Sequence, residues 1–137
     1  MDSYEIDKNQ KCNIFQNFIN LTKKIDLEAK ETCKKPWIVD AITNESLTLN
    51  TALKEITRLR TFLMEQNIQQ GDAVAMIMEN NVNYYIAVLA CWSLGAVVCP
   101  MDVKGSKEDL MYMNKELKPV AIIYLASRCI DEVTFHL

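Results

Sequence analysis

Little in this chain of 137 residues is suited to binding phosphate, to disulfide bonding or to histidine chemistry, and each shortage narrows what it does. Only three glycines occur, Gly71, Gly95 and Gly105, and no two are close together. A phosphate cradle needs consecutive backbone amides with no side chain in the way, as in G-x-G-x-x-G or G-x-x-x-x-G-K-[ST]. Neither pattern exists here, so a dinucleotide-binding reading fails. The single histidine, His136, stands one residue from the end of the given sequence and reads as a tail residue. A Ser-His-Asp or Cys-His arrangement therefore lacks a base held by a third group. Five cysteines, at 12, 33, 91, 99 and 129, form no C-x-x-C pair and are odd in number. Cys91 and Cys99 lie in apolar surroundings, where a thiol behaves as a small hydrophobe. A disulfide framework and a zinc site are both disfavoured, and a reducing intracellular compartment is expected.

Charge of one sign is also missing. Fifteen basic and 18 acidic residues leave a formal charge of −3, spread without long blocks. A nucleic-acid partner wants a basic face, and Lys104, Lys107 and Lys115 are too scattered to make one. The longest strongly apolar stretch, Tyr84–Met101, is broken by Ser93, Gly95 and Pro100, so no membrane span is expected. The polar opening from Met1 to Lys8 carries no secretory signal.

What is present is half apolar and patterned, enough for one modest domain with a real core. Ile14, Phe15, Phe18, Ile19, Leu21 and Ile25 recur at helical spacing and predict an amphipathic helix from Asn13 to about Lys30. Pro36 ends that segment, because the residue before a proline is biased away from the helical region. Residues 1–35 thus read as a helix and linker, and 36–137 as the folded subdomain.

Trp37–Asp40 and Leu47-Thr48 read as two short strands joined by a polar turn. Leu53, Ile56, Leu59 and Leu63 predict a helix over Asn50–Gln66, ended by Asn67 in the left-handed cap position. Ala73–Met78 is a buried strand. Asn80 is the expected N-cap of the next helix, Tyr84–Leu94, and Gly95 its C-terminal cap. That helix is apolar nearly all round, which predicts burial on most sides, with Tyr84, Tyr85 and Trp92 as core. Ala96–Cys99 is the next strand. Ser106 with Asp109 caps a helix whose Leu110, Met113 and Leu117 face the sheet. Pro119 closes it before a strand at Val120–Leu125, expected to be poorly covered, and Ser127–Leu137 has the makings of a further helix. Such alternation predicts an α/β fold of parallel-sheet βαβ layers.

Asp102 follows a strand's C-terminal end, where open α/β sheets bind ligands, yet the stronger reading of Asp72 and Asp102 is as turn residues bonding their own backbone. No residue is assigned a catalytic, cofactor-binding or metal-binding role.

Several segments, in order, resemble the N-terminal portion of the adenylate-forming acyl-CoA synthetases, the AMP-dependent synthetase/ligase superfamily that includes 4-coumarate–CoA ligase and firefly luciferase. Trp37-Ile-Val-Asp40 with Leu47-Thr48 is similar to the family's entry hairpin, and Arg58-Leu59 to an Arg-Leu in the helix after it. Gly71-Asp72-Ala-Val-Ala75 is similar to Gly-Asp-x-Val-Ala, and Asn80 to an asparagine at the head of the next helix. Leu94-Gly95-Ala96-Val97 and Pro100-Met101-Asp102 are similar to Gly-Ala-Val-x-x-Pro-Leu-Asn/Asp. The resemblance covers about residues 36 to 125. Thr48-Leu49-Asn50-Thr51-Ala52 departs from the usual Thr-Tyr-x-Glu-Leu, losing the acidic half of a capping box. Asn67 departs likewise, standing where the family usually has a glycine.

The resemblance implies, for full-length members, activation of a carboxylate by ATP with Mg to an acyl adenylate, then transfer to coenzyme A. The Ser/Thr/Gly-rich loop, ribose-binding aspartate and C-terminal lysine that do this lie beyond the matching stretch, and no cofactor is expected for this chain. Three readings follow: an inactive truncated member; a non-enzymatic module pairing with a full-length paralogue, or with itself, through an exposed sheet edge; and a flavodoxin-like mononucleotide binder. The third is disfavoured because Glu79-Asn80-Asn81 after the strand has no glycine. Relatives in the cytoplasm and in peroxisomes leave both compartments open. Phe135-His136-Leu137 does not fit the peroxisomal Ser-Lys-Leu pattern well.

Overall fold

The computed structural model describes residues 35–124. The helix expected over Asn13–Lys30, the stretch Ser127–Leu137 and His136 lie outside them.

Strand β1 (Pro36–Val39) pairs antiparallel with β2 (Ser46–Thr48), with an irregularity in register between Pro36 and Ile38. The turn is built by Asp40, whose Oδ1 accepts the N–H groups of Ile42 (2.8 Å) and Thr43 (3.0 Å). Those two amides, Thr43 foremost, hold the Asp40 carboxyl below its ordinary value. Asn44 takes the positive φ of 58° that closes the reversal.

Helix α1 (Leu49–Glu65) starts on Thr48, whose hydroxyl accepts the Thr51 amide, and stops at Gln66. Asn67 follows in the left-handed region, φ 61°, as its sequence position predicts. Its N–H donates to Met64 O and the Ile68 N–H to Leu63 O, the two bonds of a Schellman stop. Helix α2 (Val82–Ser93) ends the same way: Gly95 (φ 74°) donates to Trp92 O, and Ala96 to Cys91 O. Helix α3 (Lys107–Leu117) begins on Ser106, which accepts the Asp109 N–H at 3.1 Å and donates its hydroxyl to Asp109 Oδ2 at 2.7 Å.

Between these helices run β3 (Ala73–Ile77), β4 (Val97–Pro100) and β5 (Ala121–Tyr124), all parallel, in the order β4-β3-β5. The chain therefore moves one way from β3 to β4, then back across β3 to β5. Two right-handed crossovers in opposite directions place their helices on opposite faces. The core shows this division. Val74, Val98, Ala121 and Ile123 pack with Ile56 of α1 and Ile86, Ala90 and Cys91 of α2, while Ala75, Ile77 and Ile122 pack with Leu110, Met113 and Leu117 of α3. The alternation is the period-two pattern of a strand buried on both sides.

Two expectations need correction. Asn81, not Asn80, caps α2: its Oδ1 accepts the Tyr84 N–H at 3.0 Å, and the helix starts two residues earlier than expected. Nor is α2 buried all round. Tyr85 and Trp92 are 49% and 54% exposed, and Tyr84 is half-buried. These two rings project from the helix side away from Val82, Ile86 and Ala90, so they are not core among the described residues.

Candidate functional site

The loops leaving the carboxyl ends of β3 and β4 diverge to opposite faces, and a crevice of about 500 Å³ opens between them. Its walls are Met78, Glu79 and Asn80 from one loop and Pro100 to Lys104 from the other, with Tyr84 behind. This is the place where open α/β sheets hold ligands.

The aspartate there is occupied with the fold itself. Asp102 Oδ1 accepts the Lys104 N–H at 2.8 Å, and its carbonyl accepts the Gly105 N–H at 3.1 Å. Asp102 is thus the turn residue that its sequence context predicts. Asp72, at the other end of the sheet, does the same, its Oδ2 accepting the Gln69 N–H at 2.7 Å. The structure does not bring these two aspartates together.

The features that cradle a phosphate are not gathered at this crevice among the described residues. Gly71 and Gly95 sit at the amino ends of β3 and β4, joined by a 2.9 Å bond from the Gly71 N–H to Gly95 O, on the far side of the sheet. Gly105 alone is at the carboxyl end, and a side chain there would meet Asp102 O at 3.1 Å. The lining carries two carboxylates, Glu79 and Asp102, against one ammonium, Lys104, the wrong balance for a polyphosphate. The first turn of α3 holds Glu108 and Asp109, which occupy its positive end. Among the described residues no group of three or more His, Cys, Asp or Glu side chains could hold a metal ion.

A second groove, about 420 Å³, lies between α1 and α2 and is lined by Arg58, Leu59, Phe62, Asn83, Ile86 and Ile123 among others. Arg58 reaches Glu55 at 3.6 Å across an exposed helix turn. Sequence reading missed this groove, because Phe62 and Ile123 share it only once β5 has crossed back over β3. Cys91 offers no nucleophile: it is fully buried, and burial pushes its thiol up to about 11. Among the described residues no helix is long and apolar enough to cross a membrane.

The profile of a family described as AMP-binding enzyme matches residues 25–136. Vanchrobactin synthetase VabF of Vibrio anguillarum is 27% identical over 126 residues, 91% of this chain and 4% of that protein. Acyl-CoA ligase ppsA of Aspergillus oryzae is 29% identical over 99 residues, 72% of this chain and 18% of that protein. Among solved structures, the Klebsiella oxytoca NpsA N-terminal subdomain with 3-hydroxybenzoyl-AMSN is similar at a TM-score of 0.67 and 16% identity, over 81% of this chain and 26% of that one. O-succinylbenzoate Coenzyme A Synthetase (MenE) from Bacillus subtilis with AMP is similar at 0.66 and 17%, over 80% and 28%. The fold is thus that of the N-terminal domain of adenylate-forming enzymes, and the chain spans a small part of these relatives' lengths.

Proposed function

This chain belongs to the AMP-binding enzyme family, and from that premise we propose that it is the opening scaffold of an acyl- or aryl-CoA synthetase that does not itself activate a carboxylate. One observation carries the reading. The crevice at the carboxyl ends of β3 and β4 has its aspartate tied into its own turn, and two of the three glycines, Gly71 and Gly95, stand at the opposite end of the sheet. The side chains present make strands, caps and crossovers. The acid–thiol ligase chemistry of the family, with its ATP, Mg and coenzyme A, belongs to segments outside the matching stretch, so no step of it is placed on a residue of this chain.

ATP–pyrophosphate exchange by the 137-residue chain, offered a panel of fatty and aryl acids, tests the proposal. The expected result is exchange no faster than a protein-free blank. Turnover above that blank overturns it.

A second reading has an observation of its own. Among the described residues β4 and β5 each pair on one side only, with β3. Unpaired strand edges recruit further strands, which supports a non-enzymatic module that associates through its sheet with a full-length relative or with itself. Co-expression with a full-length paralogue and pull-down tests the first arm; no association at micromolar concentration counts against it.

A further inference from the structure

We draw no further inference here: the strongest candidate, the groove between α1 and α2 lined by Arg58, Leu59, Phe62, Ile86 and Ile123, carries nothing, because nothing in the structure shows what covers it.

Discussion

The two faces of one small sheet are furnished differently. Toward α1 and α2, strands β3, β4 and β5 meet two helices, and Ile38 and Leu47 of the hairpin pack against the same cluster. The largest fully buried side chains, Ile56, Met76, Val74 and Cys91, all belong to that face. Toward α3 the same strands meet one helix, of which only Leu110 is buried, while Met111 and Tyr112 stand more than half exposed. The strands are equally apolar on both sides. Each crossover delivers one helix to its face. What differs is that α1 and the hairpin, which precede β3, join α2 on one side, so burial here follows from topology and not from strand composition.

The sharpest way to break this comparison is truncation on each face. Ile56→Ala, at a site with no solvent exposure, is expected to cost about 3–4 kcal/mol by urea unfolding. Leu110→Ala is expected to cost about 2 kcal/mol, because the thinner face collapses around the gap more easily. Equal losses would refute the distinction between the faces.

Next come the ends of α2. Gly95→Ala forces an alanine to φ 74° and sets its Cβ 2.9 Å from Gln70 Cγ, a side chain able to swing aside. The expected cost is about 1–2 kcal/mol, mainly the left-handed backbone. Asn81→Ala is expected to cost about 1 kcal/mol, as is Ser106→Ala at the head of α3. Asn80→Ala, by contrast, should fall within about 0.5 kcal/mol of the unmodified chain. Urea midpoints measure all four, and a larger effect at Asn80 than at Asn81 would contradict the cap assignment.

The smallest effect concerns pH. Burial raises the Cys91 thiol from 9.0 to about 11, so the folded chain keeps it neutral where the unfolded chain ionises it. The stability contribution of that thiol is complete below about pH 9 and is lost as pH climbs toward 11. The thermal midpoint should fall between about pH 8 and pH 10.5, and Cys91→Ala should flatten part of that fall.

Most of the frame was legible in the sequence for physical reasons. Strands β3, β4 and β5 are short apolar runs between turn residues, and Asn67, Gly95 and Ser106 stand where helix ends need a left-handed residue or a hydroxyl. The cap of α2 was misplaced because Asn80 and Asn81 have the same chemistry. Only the start of the helical hydrogen bonds decides which one caps. Tyr85 and Trp92 misled because apolar character says nothing of whether a neighbour covers that side. Strand order was not written locally at all, since β5 reaches β3 through a pairing distant in sequence. The crevice was legible as a location but not in its content. Asp102 was readable as a turn residue, and no local pattern in Glu79 or Lys104 announces that they share a wall.

The strand order also has a consequence in time. During synthesis β3 emerges before either of its neighbours, gains β4 after one crossover, and waits through α3 for β5. Its second side stays open until Tyr124 has left the ribosome. Until then the most deeply buried of the described strands is a half-finished template, exposed to any other nascent chain. A pause in translation between Pro100 and Ala121 would prolong that exposure, which makes this interval the stretch where a chaperone is most useful.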